Sequence, residues 1–336
     1  MSSTSLSKTT VPTALPPERD RGGGQPELKS PAAVAARRTA VVTGASSGIG
    51  RATSLYLVKN GFRVFAGVRK KQDADSLRAA AGADLVPIEL DVTSADSIAA
   101  AERRVRESVG RLDGLVNNAG IGIAAPVEAV PMDALKRSFE VDVFGQIAVI
   151  QAFLPLIRRG RGRIVNMGSV GGHITMPFGG VLCGAKSAFG SLSDALRLEL
   201  HPFGIRVCLV EPGAISTPAV EKMFGDVEGA IASFPPEDAR RYGPMYREFS
   251  RRSYELESNG SPPEVVARAV CHALTARRPR ARYPVGKHAR LLGTLGRVMP
   301  DRPLDSIRRR LFRMPKSFGA MAAEPARGLA GKQRHA

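Results

Sequence analysis

Cysteine is scarce in this 336-residue sequence: Cys183, Cys208 and Cys271 are the only three. Their spacing offers neither a disulfide framework nor a metal-ligand pattern, so no metal site is expected and a reducing compartment is implied. Long apolar runs are missing too. The longest uncharged run, residues 164–185, carries six glycines together with Asn166 and His173, which does not suit a bilayer span. The N-terminal stretch lacks the apolar segment of a secretory signal, and Glu18, Asp20 and Glu27 interrupt any acid-poor transit peptide. There is no internal repeat. The expected location is therefore cytoplasmic, or peripheral to a membrane.

Acidic residues are in deficit, with 31 Asp+Glu against 49 Lys+Arg and a net charge of +18. The excess is uneven. From Arg277 onward 16 Lys and Arg face three acids, so the preceding body is close to neutral. Residues 1–37, rich in Ser, Thr, Pro and Gly without apolar periodicity, read as a disordered leader. Residues 287–336 read as a basic amphipathic tail, with Leu291, Leu292, Leu295, Val298, Leu304, Ile307, Leu311 and Phe312 among arginines. Such a tail can touch an anionic membrane weakly, cap a hydrophobic cleft, pack on its own domain or simply solubilise the chain. No specific nucleic-acid binding is expected.

Between the tails lies one α/β domain, residues 38–286. The glycine-rich stretch 43–50 organises it. An apolar β-branched run, 39–42, precedes the glycines, and a helix with an apolar stripe follows them. Glycines at a strand-to-helix turn let a phosphate approach backbone N–H groups at a helix N-terminus, although tight packing alone also uses them. Further strands are expected over 62–68, 85–90, 112–116, 163–167, 205–210 and 281–285. Helices are expected near 94–109, 132–159, 180–201 and 262–276. This regular alternation predicts a Rossmann-type, doubly wound parallel sheet. Residues 218–260 mix aromatic and charged residues without clear period and read as a lid inserted in the domain. At the end of the second strand, Val68 is followed by Arg69, Lys70 and Lys71. A basic residue there favours a 2′-phosphate, so NADP is expected over NAD; an exposed basic turn is the plainer reading.

Taken together, these residues resemble the short-chain dehydrogenase/reductase family from about Arg38 to Gly286. Gly44, Ser46, Ser47, Gly48, Ile49 and Gly50 look like its cofactor loop. Asp91 and Val92 look like its adenine contact, and Asn117-Asn118-Ala119-Gly120 matches its fourth-strand motif. Ser169 and Lys186 stand where the family keeps a catalytic serine and lysine. Pro212, Gly213, Ile215 and Thr217 look like the loop that holds the nicotinamide. Details such as 65–70, 91–93 and 282–286 resemble the branch acting on retinol and hydroxysteroids. Two positions depart from the pattern. The family's proton-donating tyrosine lies four residues before the lysine, where this chain has Leu182. The asparagine that supports a proton-relay water is replaced by Asp142, a negative charge near Lys186. The resemblance implies an NAD(P)(H)-dependent oxidoreductase for a lipophilic alcohol or ketone, working with a non-standard proton donor. The alternative is a cofactor-binding but silent homologue serving as sensor, scaffold or partner subunit. Cys183, His173, the lid tyrosines Tyr242, Tyr246 and Tyr254, or a water on Lys186 are the candidate substitutes. The resemblance also implies a homodimer or homotetramer.

Overall fold

The computed structural model describes residues 37–315. The expected leader, Arg37 apart, and residues 316–336 of the tail lie outside the described residues. Seven strands form: β1 Arg38–Val42, β2 Phe62–Val68, β3 Leu85–Glu89, β4 Gly114–Asn117, β5 Arg163–Met167, β6 Arg206–Pro212 and β7 Arg282–Val285. They make one parallel sheet in the order β3-β2-β1-β4-β5-β6-β7. The order reverses beside β1. The connections leaving β1 and β4 therefore run to opposite faces of the sheet, and a crevice opens between them where a ligand of such sheets binds.

Both faces are covered, which is why the strands are almost continuously apolar. On one face α1 (Gly48–Lys59), α2 (Lys71–Ala81) and α10 (Glu264–Thr275) bury Leu57, Leu77, Val266, Val270 and Leu274 against the sheet. On the other, α3 (Ala95–Val109), α5 (Gly145–Gly160) and α6 (Gly180–Leu200) bury Ile98, Val105, Val149, Phe153, Leu156 and Leu200. Ser94 caps α3 by accepting the Ser97 N–H at 3.2 Å.

Three expectations are corrected or refined. Helix α2 fills a segment for which only a basic turn was anticipated. The long helix over 132–159 is α4 (Met132–Phe139) and α5 joined through a π-helical turn, Glu140–Phe144. Met132–Gly160 is long and apolar enough to cross a membrane, yet more than half of its most apolar stretch is buried in the fold, as suits a core helix. The third correction concerns 218–260. It is helical throughout most of its length: α7 (Pro218–Phe224), α8 (Val227–Ala232) and α9 (Pro236–Ser258). The period was obscured because the buried stripe of α9 mixes Tyr246, Phe249, Ser250 and Ser253, and because Pro244 sits inside the helix. These helices close over a separate aromatic cluster of Phe178, Phe224, Phe234, Tyr246, Phe249 and Phe312. Edge-on ring contacts of this kind add roughly 0.5–1.5 kcal/mol each beyond area burial. Two helices follow β7: α11 (Ala289–Val298) and α12 (Asp301–Leu311), with Leu304 and Phe312 turned inward.

Candidate functional site

The crevice beside β1 is built by the loop after β1 and the loop after β4. Buried Thr43 ties them: its hydroxyl oxygen accepts the Asn118 and Ala119 N–H groups, both at 2.9 Å. Asn118 Nδ2 returns bonds to the carbonyls of Thr43 and Gly44 at 3.0 and 3.1 Å. Gly44 turns with φ +63°, a left-handed conformation costly to any residue with a Cβ, and a Cβ there would also lie 2.7 Å from Ala119 Cα. Gly50 sits in the first turn of α1, where an added Cβ would be 2.1 Å from Gly44 O. Ser47 is the N-cap of α1, and its side chain makes no capping bond. The first-turn N–H groups of α1 thus face the cleft without a side-chain partner, a ready anion site.

The resulting cleft holds about 450 Å³. It is lined by Gly44, Ser46, Ser47, Gly48, Ile49 and Gly50, by Arg69, by Asp91 and Val92, by Asn118, Ala119 and Gly120, and by Thr217. Open helix N–H groups at its centre and a carboxylate and a guanidinium at one end suit a dinucleotide. Burial works against the Asp91 carboxylate, but the Thr93 N–H and hydroxyl, with Arg69 and Arg137, outweigh it and hold its pKa below the usual value. Lys222 and Met223 of α7 and Gly122 also line the cleft, and sequence reasoning missed them. The unrecognised helical period of the lid hid the first two.

Ser169, Lys186, Pro212, Gly213 and Ile215 do not line this cleft. Lys186 lies just behind it. Its Nζ is 2.9 Å from Asp142 Oδ1 and donates to Met167 O at 3.3 Å. Asp142 is fully buried, and its other oxygen accepts the Ile121 N–H at 3.2 Å. The π-helical turn aims Asp142 at this spot. Gly120 permits the pair: a Cβ there would be 2.7 Å from Asp142 Oδ1 and 3.5 Å from Lys186 Nζ. Beneath runs a buried polar ladder, from Asn117 Nδ2 to Asn166 Oδ1 at 3.0 Å and from Asn166 Nδ2 to Ser193 Oγ at 2.8 Å. Ser169 caps a short turn by accepting the Gly171 N–H at 3.0 Å. Leu182 is half-buried on α6, one turn before Lys186. Gly213 N–H bonds Val285 O at 2.9 Å, and Ile215 N–H bonds Glu257 Oε2 at 3.2 Å.

Of the candidate substitute donors, His173 and the lid tyrosines are engaged by other groups. His173 Nε2 contacts Glu211 and Arg297. Tyr242 bonds Glu128, Tyr246 bonds Ala124 O at 2.9 Å and Tyr254 bonds Glu221 at 3.0 Å. Cys183 is buried, and burial raises its thiol pKa; Cys208 is pushed up to about 11 for the same reason. Among the described residues no group of His, Cys, Asp and Glu could hold a metal. A shallower groove runs over the lid beside Glu221, Arg247 and Tyr254, and it contains none of the expected site residues except Tyr254.

Residues 38–228 match the short chain dehydrogenase family. Mouse retinol dehydrogenase 5 is 36% identical over 274 residues, covering 79% of this chain and 86% of that protein. Human 17-beta-hydroxysteroid dehydrogenase type 1 is 36% identical over 258 residues, covering 74% and 77%. Among solved structures, a short chain dehydrogenase from Burkholderia cenocepacia J2315 in complex with NADP superposes with a TM-score of 0.63 at 26% identity, covering 82% of this chain and 97% of that one.

Proposed function

Because this chain belongs to the short-chain dehydrogenase/reductase family, whose members bind NAD(P), we propose that it is an NADP(H)-preferring oxidoreductase acting on a lipophilic alcohol or its carbonyl partner. The observation that carries the reading is the Lys186–Asp142 pair, held against Gly120 at the edge of an open glycine turn. The N–H groups of α1 would hold the pyrophosphate, Asp91 the adenine end and Arg69 the 2′-phosphate. Thr217 and the loop from Pro212 to Ile215 would flank the nicotinamide, which supplies or accepts the hydride.

The chain's own residues then handle orientation and the proton. Ser169 Oγ–H donates to the carbonyl oxygen and fixes the reacting face. Leu182 cannot donate, so the proton on the nascent alkoxide comes from the Lys186 ammonium or a water on it. Giving up that proton breaks the 2.9 Å ion pair with Asp142. A well-placed acid contributes about 10²–10⁴ in rate, so slow turnover is expected. The retinol and hydroxysteroid dehydrogenase names of the relatives support a lipophilic substrate. Homo-oligomerisation is part of the same proposal.

A second reading, a cofactor binder without turnover, is favoured by Leu182 and by the engagement of His173 and the lid tyrosines elsewhere. Titrating the purified chain with NADPH and NADH by nicotinamide fluorescence, then assaying retinoid and steroid carbonyls, separates the two. Hydride turnover supports the oxidoreductase. Tight NADPH binding with no turnover on any substrate supports the silent binder, and binding of neither cofactor sinks both.

A further inference from the structure

The loop after β6, residues 213–217, is stitched down by backbone bonds. Gly213 N–H donates to Val285 O at 2.9 Å, Ser261 N–H to Ala214 O at 2.9 Å and Ser216 N–H to Ser261 O at 3.0 Å. Gly260 lies so close that a Cβ there would be 2.6 Å from the carbonyl of Ala214. Ile215 N–H is the exception. Because Ala214 O and Ser216 N–H both face Ser261, the N–H between them points the other way. Ile215 is buried, and a buried N–H left without a partner is costly. A side chain supplies the acceptor: Glu257 Oε2 at 3.2 Å.

Glu257 reaches the loop from the lid. Tyr246, Ser250, Ser253 and Glu257 follow one another at helical spacing, so Glu257 ends the inward stripe of α9. A carboxyl is an expensive acceptor to place there. Burial pushes its pKa up to about 7, and no cation beside it offsets that penalty. The return is a firmer grip, because a charged acceptor holds an N–H roughly twice as strongly as a neutral one. Ionisable groups held at such a cost concentrate at functional sites. The loop leads to one. Thr217, two residues after Ile215, precedes α7 and lines the dinucleotide cleft, where its Cβ would be 3.3 Å from a Cβ on Gly48.

We infer that Glu257 is a positioning residue: by holding Ile215 N–H, it fixes the loop that runs on to Thr217 and so sets where the nicotinamide end of the cofactor lies. The lid and the cofactor site thereby share one side chain, since α9 also carries Tyr246 and Phe249 into the aromatic cluster. The consequence for the cofactor rests on the proposed function; the anchoring of Ile215 does not.

The test compares Glu257→Leu, which removes the acceptor, with Glu257→Gln, which keeps an uncharged one. Each full-length variant is titrated with NADPH and with adenosine 2′,5′-bisphosphate, the adenine half of that cofactor without its nicotinamide. The titrations are run above the pKa of about 7 that burial gives Glu257. Glu257→Leu is expected to weaken NADPH about tenfold or more, as for a lost bond to a charged acceptor, and to leave the bisphosphate unchanged. Glu257→Gln is expected to recover most of that loss. Amide hydrogen exchange at Ile215 needs no cofactor, and it is expected to quicken about tenfold in Glu257→Leu and little in Glu257→Gln. Wild-type circular dichroism spectra show that both variants fold. NADPH affinity untouched by Glu257→Leu, or equal losses for the two nucleotides, overturns the positioning role, as does a glutamine variant that binds no better than the leucine one. Unchanged exchange at Ile215 overturns the anchor itself. Wild-type protein that binds neither nucleotide refutes the proposed function and the role at the cofactor with it, while the exchange rates still decide the anchor.

Discussion

Replacing Leu182 with tyrosine tests the chemistry most directly. Leu182 lies one turn before Lys186 on α6, so a phenol there would point from the same face toward the Lys186 ammonium. The site is half-buried, so a ring can be accommodated at a cost of about 1–3 kcal/mol in stability. A supplied acid–base group is worth about 10²–10⁴ in rate, or roughly 3–5 kcal/mol of barrier. Asp142 reduces the gain. Its carboxylate is 2.9 Å from Lys186 Nζ and competes for the cation that a phenolate would need. The single variant is therefore expected at the low end, about 10² in kcat/KM. Leu182→Tyr combined with Asp142→Asn is expected to approach 10⁴. The assay is the absorbance of reduced nicotinamide with retinoid and steroid carbonyls, with cofactor affinity measured in parallel. Turnover unchanged in both variants, while NADPH still binds and the fold melts cooperatively, would refute the assignment of position 182.

Gly50→Ala is expected to abolish tight cofactor binding and to destabilise the chain by about 1–3 kcal/mol, because the new methyl collides with Gly44 O; calorimetry with and without NADPH reads both effects. Arg69→Glu is expected to weaken NADPH by tenfold or more, the loss of a charged hydrogen bond worth about 1.5–3 kcal/mol, while NADH changes little; equal losses for both would show that Arg69 does not read the phosphate. Glu257, at the end of α9, has its pKa pushed up to about 7 by burial, against a weaker opposing pull from the Ile215 N–H. The native state therefore holds a proton that the unfolded carboxylate releases near 4.5, and stability falls as pH rises through that window and levels off above 7. Glu257→Gln is expected to remove this slope, worth up to about 3 kcal/mol, and to melt higher than wild type at pH 8; an unchanged stability profile would count against a buried, protonated Glu257.

Much of the fold was readable because its signals are local. The β-branched runs at 39–42 and 62–68, the glycine turn and the Ser94 cap each state their structure within a few residues. The lid did not, because α9 buries tyrosine and serine beside phenylalanine, and those contacts are made with Phe178 and Phe312, far off in sequence. The site divides in the same way. The cleft-lining glycines carry a short-range motif, whereas Lys222 and Met223 reach the cleft only through the packing of α7. The Asp142–Lys186 pair shows both cases. Its two residues could be singled out, but the π-helical turn that joins them is set by tertiary packing and leaves no periodic trace.

The strand order also governs how the chain is made. Strand β1 leaves the ribosome before β4 and at first has only β2 to pair with. Its other edge belongs to β4, and the acceptor on Thr43 waits for Asn118, 75 residues later. At ordinary rates of synthesis that interval is on the order of ten seconds, during which the unpaired edge of β1, apolar from Ala40 to Val42, stands open to any neighbouring chain. The turn that would hold the cofactor is likewise incomplete until then. A nascent chain stalled before β4 is therefore both sticky and unable to be rescued by a bound nicotinamide cofactor, which makes this stretch of translation the one where chaperone protection matters most.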